Sequence, residues 1–256
     1  MLSRRDFLKL SGATLLAAAL SNIDMAGADE STPAPLIYHG SRRHRYIALT
    51  YDDCYLLRRM QDLEKLLDEY PEIKITLFPV GVAILNLERQ DAGIWKRFRD
   101  KGHEIGYHTF DHTDLSTMST ATALMDYDQW YAALTQVLGD PYPVHFVRPP
   151  YDIVSHTLDV LCRERGLVAV LYSIGGGGET ENVMNALKMG KNGDIVQMHI
   201  RTQDYKTSVE AYPWLRENNW DAVTLSKLYD DLLLEQNNSE GCDVGAGSAL
   251  TRTCIE

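Results

Sequence analysis

The sequence predicts an α/β barrel of parallel strands, on three grounds. Short apolar runs alternate with amphipathic helical stretches from about residue 45 to 236, the signature of βα units. Several of the apolar runs end on an ionisable residue, and in a parallel barrel the C-terminal strand ends are where chemistry gathers. The length suits one domain of this kind, and no internal repeat is visible.

Taken in order, residues 1–28 stand apart from the fold. Ser3-Arg4-Arg5-Asp6-Phe7-Leu8-Lys9, the apolar run Leu10 to Leu20 and the small residues Ala26-Gly27-Ala28 read as an export signal of the twin-arginine type. The apolar run is too short to span a bilayer, where about 20 residues are needed. A cleaved signal, a mature chain with no stable membrane insertion, and a periplasmic or secreted location follow. Residues 29–44 read as a leader, loose and rich in Ser, Thr, Pro and Ala up to residue 40. It closes on the basic run Arg42-Arg43-His44-Arg45, expected as a solvated edge.

Seven strands are expected in the domain of residues 45–236: Tyr46 to Tyr51, Ile73 to Val80, His103 to His108, Val144 to Val147, Val168 to Tyr172, Asp194 to His199 and Ala222 to Leu225. The helices between them are Leu56 to Glu69, Gly93 to Lys101, Ala121 to Leu138, Ser155 to Arg165, Glu181 to Met189, Ser208 to Asn218 and Leu225 to Gln236. Seven such units close into a barrel. The tetraglycine Gly175 to Gly178 lacks the spacing of a dinucleotide loop and reads as a flexible turn. Residues 237–256 read as an irregular tail, with Cys242 and Cys254 the pair placed to bridge in an oxidising compartment, and Cys54 and Cys162 as buried thiols.

The net charge of −11 argues against nucleic acid, whose phosphates demand a basic face. The informative polar residues are those at strand ends: Asp52 and Asp53 after Tyr46 to Tyr51, His108, Arg148 and His199. Adjacent carboxylates repel unless a cation sits beside them. His108 and His112, at i and i+4, can face one way on a helical turn, and two imidazoles with one carboxylate leave a divalent ion an open position. Asp53 is then the third ligand and Asp52 is free to act as a base. Zinc is the expected ion, with cobalt and nickel as alternatives.

These same residues carry a resemblance. TYDDC resembles the TFDDG motif of the polysaccharide deacetylases (carbohydrate esterase family four, the NodB homology domain). GHEIGYHTFDH is similar to that family's GHEIGNHTxxH, RPPYD to its RxPYG and GDIVQMH to its GxIxLxH, in the same order along residues 45–235. The resemblance implies a distorted (β/α)7 barrel that removes N-acetyl groups from amino sugars. It implies Asp52 as general base, Asp53, His108 and His112 as metal ligands, and Arg148 as the group orienting Asp52. It further implies the Tyr151 N–H as an oxyanion donor and His199 as general acid. An N-acetylated glycan is the expected substrate, and the twin-arginine translocase the partner during export. A hydrolase of a non-sugar N-acyl or cyclic amide and a glycan-binding pseudo-enzyme are the alternatives.

The departures bear on substrate. Where the family has a Trp and an Asp in the strand-five region, this chain has Tyr172-Ser173-Ile174-Gly175, and Cys54 and Tyr107 replace a Gly and an Asn. Trp214, Trp220, Tyr151 and Tyr172 are the candidate sugar platforms. Unless Glu179 or Asp204 stands in for the missing acid beside His199, activity is expected to peak on the acidic side of neutrality.

The export reading makes a direct prediction. An Arg4→Lys, Arg5→Lys double variant should stay in the cytoplasm as precursor, because Lys lacks the planar fork of a guanidinium. Cell fractionation reads the result, and normal processing of the variant would point to another export route.

Overall fold

The computed structural model describes residues 33–240, with side chains to residue 236. Nine strands and eight helices are present among the described residues. The strands are β1 (Leu36–Ile37), β2 (Tyr46–Asp53), β3 (Ile75–Pro79), β4 (Glu104–Ile105), β5 (Phe146–Val147), β6 (Val168–Val170), β7 (Ile174–Gly175), β8 (Asp194–His199) and β9 (Asp221–Ala222). The helices are α1 (Leu57–Glu69), α2 (Gly81–Gln90), α3 (Ile94–Asp100), α4 (Thr120–Leu138), α5 (His156–Arg165), α6 (Thr180–Lys188), α7 (Thr202–Glu217) and α8 (Leu225–Glu240).

All strand pairs are parallel. One sheet runs β4-β3-β2-β8-β7, with β9 paired to the start of β2, and the other runs β1-β6-β5. A single parallel bridge, Tyr107 to Val147, and an antiparallel one, His39 to Asp194, join the two sheets into a distorted barrel. β2 is the central strand, in register with β3 from Leu49 to Asp53 and with β8 from Ile47 to Asp52. Buried on both faces, it reads as a nearly continuous apolar run, as parallel strands do.

The helices follow from ordinary local signals. α1 buries Met60, Leu63, Leu66 and Leu67, a stripe at three- and four-residue spacing. Ser119 and Ser155 cap α4 and α5 by accepting from Thr122 N and Leu158 N, and Gly139 and Gly166 end them in the left-handed conformation. Trp95 and Trp130 are fully buried, with their indole N–H groups donated to the Ile84 and Pro79 carbonyls.

Five features differ from the sequence expectations. Leu36–Ile37, within the stretch expected to be a loose leader, is a strand paired with β6. α2 was not expected, although Ala83, Ile84 and Leu87 form its buried face. α7 begins at Thr202 rather than Ser208, because its polar first turn is anchored through the buried Asp204 and not through apolar periodicity. The tetraglycine is no loose turn at its start: Ile174–Gly175 pair with Val196 and Gln197, and a Cβ on Gly176 would lie 2.0 Å from the Gln197 carbonyl oxygen. The basic run at 42–45 is engaged, with Arg42 on Asp194 at 2.6 Å, Arg43 on Glu235 at 3.3 Å and Arg45 over the Trp220 ring. Cys54 and Cys162 are buried free thiols, and Cys242 and Cys254 lie outside the described residues.

His103, beside β4, accepts from the Ile75 N–H through Nδ1 at 3.3 Å. Burial, with Lys74 and Lys101 adding to it, pushes this imidazole down to about 4. The unfolded chain binds that proton below about 6.5 while the folded chain does not, so stability is full above that value and falls as the pH drops toward 4. Urea unfolding should therefore lose on the order of 1–3 kcal/mol from this group between pH 7 and 4.5. In a His103→Gln variant that part of the slope should disappear.

Candidate active site

The barrel collects its ionisable groups at the C-terminal strand ends. Asp52 and Asp53 finish β2, His199 finishes β8 and stands opposite Asp52 in the register, and Arg148 follows β5. His108 comes three residues after β4.

Arg148 is wholly buried and crosses the barrel interior. It donates through Nη1 to Asp52 Oδ1 at 2.9 Å and Thr50 Oγ1 at 2.6 Å, through Nε to the Val170 carbonyl at 3.3 Å and through Nη2 to the Leu171 carbonyl at 3.1 Å. Its guanidinium also lies 4.6 Å from the centroid of the Phe78 ring. A buried ion pair is tolerated only when its other donors find partners, and here every guanidinium nitrogen has at least one. The other oxygen of Asp52, Oδ2, accepts from Gln197 Nε2 at 2.9 Å. The carboxylate is thus gripped on both sides and 1% exposed.

Asp53 faces the other way, into the histidines. Its Oδ1 lies 3.4 Å from His108 Nε2 and 3.3 Å from His112 Nε2. Neither contact has hydrogen-bond geometry, which leaves that oxygen buried without a partner. Burial pushes the Asp53 carboxyl up, but the two imidazoles outweigh it and hold it well below the usual carboxylate range. Asp53 in turn raises His112. His108 Nδ1 donates to the Arg148 carbonyl at 2.7 Å, and because a carbonyl only accepts, the neutral ring would turn its Nε2 lone pair, the form a metal takes, toward Asp53.

The three ligand atoms lie within 4.8 Å of one another. Three converging donor atoms, one of them an orphaned buried oxygen, fit a divalent ion better than they fit each other. The route to this convergence differs from the expected helical turn. Residues 108–112 form a loop in which Thr109 and His112 are left-handed, with φ of 61° and 67°. The N-terminal turn of α2 receives the loop, where Gly81 and Val82 N–H groups donate to the Thr109 and Phe110 carbonyls. Asp126 of α4 holds it from the other side, accepting from Phe110 N at 2.9 Å and Tyr107 Oη at 2.5 Å.

Left-handed backbone is concentrated here. Asp53, Cys54, Thr109, His112, Tyr151 and Asp152 all have positive φ, and the one other such residue among the described non-glycines is Asn219. Strain of this kind persists where the surroundings over-determine it, typically around a site. Tyr151, expected as the oxyanion donor, sits in the turn after Pro150 with its ring 64% exposed and edge-on to His112 at 4.8 Å. Of the four candidate platforms, Tyr151 and Tyr172 stand at the site. Trp214 packs against the core, and Trp220 lies next to β9, which pairs with the opposite end of β2.

Three polar neighbours escaped the sequence reading. Gln197 bridges Asp52 and Asp152, donating to Asp152 Oδ1 at 3.2 Å as well. Burial, and then Asp52, raises the Asp152 carboxyl, with Arg148, Gln197 and Tyr172 opposing. Thr50 completes the Arg148 cradle. The visible signal was a glutamine interrupting the apolar run of β8. His199 is partly exposed, with Nδ1 buried, unpartnered and 3.8 Å from Asp204 Oδ2. The condition set for an acid-shifted optimum is therefore not met, because a carboxylate does stand beside His199. Glu179, the other candidate, is the cap position of α6.

Comparison with known proteins bears on identity. The family model described as polysaccharide deacetylase matches residues 39–170, and the twin-arginine translocation signal model matches residues 1–21, which marks the chain for export to the periplasm or beyond. Among the described residues no helix is long and apolar enough to cross a membrane. A bifunctional xylanase/deacetylase of Pseudobutyrivibrio xylanivorans is 26% identical over 86% of this chain, which spans 35% of that relative's length. The peptidoglycan deacetylase PdaC of Bacillus subtilis superposes with a TM-score of 0.66 at 20% identity, covering 78% of this chain and 96% of that one. A CE4 family pseudoenzyme of Bacillus anthracis superposes with a TM-score of 0.67 at 16% identity, covering 78% and 70%. With just over half of its length matched by the family model, the chain belongs to the polysaccharide deacetylase family.

Proposed function

We propose that the protein is an exported, metal-dependent amide hydrolase that removes acetyl groups from an N-acetylated glycan, such as a cell-wall or chitin-like amino sugar. The observation that carries this reading is the convergence of Asp53, His108 and His112 beside an Asp52 that Arg148 holds in place. Membership of the deacetylase family supports it, as does the presence of both a base and an acid candidate, which counts against a binding-only protein.

Asp53, His108 and His112 would hold the ion, for which zinc is the expected occupant and cobalt and nickel are alternatives with the same nitrogen and oxygen donors. When bound, such an ion supplies Lewis acidity, lowering the pKa of a water and polarising the acyl carbonyl. Asp52 is the general base, accepting the proton of the attacking water. Arg148 and Gln197 fix the direction from which it does so. The Tyr151 N–H, presented by its left-handed turn, is the donor to the oxyanion that develops on the acyl oxygen. As the carbon–nitrogen bond breaks, His199 gives a proton to the departing amine, and acetate and a free amino sugar result.

A second reading is an amide hydrolase acting on a non-sugar N-acyl or cyclic amide. Tyr172 and Gly175, standing where the family has a Trp and an Asp, favour it by removing the usual sugar platform. Acetate release from chitooligosaccharides and peptidoglycan fragments, against acyl release from simple N-acyl amides, separates the two.

His112→Ala should lose bound metal and activity together, as metal analysis and acetate release will show. Less than about a tenth of an ion per wild-type chain after zinc reconstitution would overturn the ligand assignment. Asp52→Asn should keep the metal and lower kcat by about 10²- to 10⁴-fold, the usual worth of a positioned base. Retention of wild-type turnover by this variant would remove Asp52 from the chemistry.

A further inference from the structure

We infer that Asp204, in the first turn of α7, is the positioning residue of His199, holding the proton of its imidazole on Nδ1 so that Nε2 addresses the substrate. The inference rests on the reading of His199 as the acid, and on geometry that stands without it.

Asp204 is a wholly buried carboxylate, and such a group persists only with partners. Its Oδ1 accepts from the Gly177 N–H at 3.1 Å. Its Oδ2 accepts from the backbone N–H of His199 at 2.9 Å and from Arg201 Nε at 2.6 Å. That oxygen also lies 3.8 Å from His199 Nδ1, a buried nitrogen with no hydrogen-bond partner. One carboxylate therefore clamps the residue by its main chain and faces its ring. A small rotation of the imidazole brings Nδ1–H onto Oδ2, the arrangement by which carboxylates orient histidines generally.

The other groups around the ring do not offer this service. Arg59 of α1 and Arg201 are cations, Tyr51 spends its hydroxyl on Ser208 and Tyr212, and Tyr205 lies under the Arg59 guanidinium. Asp52, opposite in the register, is engaged by Arg148 and Gln197. Arg201 has a second consequence. It shares Oδ2 with the histidine, so it competes for the carboxylate and offsets part of its charge. Removing Asp204's charge and removing Arg201 should then move His199 in opposite directions.

The test is ¹⁵N NMR of histidine-labelled protein, with the His199 signals identified through His199→Gln. Wild type should show the Nδ1–H tautomer in the neutral ring, and Asp204→Asn should lose that preference. Arg201→Met should strengthen it. In acetate release, Asp204→Asn should lower kcat about 10- to 100-fold with KM within about twofold, since the histidine acts in the transition state rather than in ground-state binding. The alkaline limb of kcat should move to lower pH in Asp204→Asn and to higher pH in Arg201→Met, because a nearby negative charge favours an imidazolium. Unchanged tautomer populations in both variants, with only the melting temperature lowered, would make Asp204 a structural clamp and overturn the inference. The NMR arm does not depend on turnover. If wild type proves inactive on every amide while the tautomer still follows Asp204, the deacetylase reading fails and the positioning role stands. Should Asp204→Asn not fold, Arg201→Met alone decides the matter, and no shift in its tautomer or pH limb refutes the proposal.

Discussion

The buried pair between Arg148 and Asp52 is the constraint around which the rest of the barrel is arranged. Arg148 leaves the end of β5 in one sheet, reaches Asp52 and Thr50 on the central strand of the other, and binds the carbonyls of Val170 at the end of β6 and of Leu171 on the way. Among the described residues the two sheets meet in two isolated bridges, and this guanidinium adds a side-chain tie between them. Its own carbonyl accepts from His108 Nδ1, and the same residue thereby orients both Asp52 and His108. Deleting Arg148 would leave Asp52 as an uncompensated buried charge, a loss generally worth several kcal/mol.

Much of this was legible in the sequence because the signals were ones that physics makes conspicuous. Two adjacent carboxylates at the end of an apolar run demand a cation, and Asp52 and Asp53 turn apart because Asp52 closes the regular strand while Asp53 takes the left-handed conformation. The strand ends at Arg148 and His199 were readable for the same reason. What was not readable depends on contacts between distant segments. The His108 to His112 loop closes through left-handed residues that only α2 and Asp126 stabilise, and no local rule assigns positive φ to Thr109 or His112. The strand at Leu36–Ile37 exists through its pairing with β6, and the first turn of α7 through the carboxylate of Asp204.

The site's two halves differ in how closely they follow the family pattern. The side proposed to hold the metal keeps the Asp53, His108 and His112 set of the resembled motifs, and the Arg148 carbonyl accepts from His108 Nδ1. The opposite side substitutes polar groups: Gln197 in the apolar run of β8, Asp152 in a turn that elsewhere takes glycine, and Tyr172 where the family's tryptophan falls. Gln197 donates to Asp152 and Tyr172 adjoins the same carboxyl, so the three form one altered wall rather than three independent changes. On the proposed function, specificity is expected to diverge on this wall.

The left-handed residues around the site have an evolutionary consequence. Glycine adopts positive φ without steric penalty, whereas each of Asp53, Cys54, Thr109, His112, Tyr151 and Asp152 holds it against a cost of order 1 kcal/mol or more. At these positions, mutation toward glycine relieves strain and removes a working side chain in the same step. Selection for robustness alone would thus favour glycine there, so a side chain kept at such a position answers a demand other than stability.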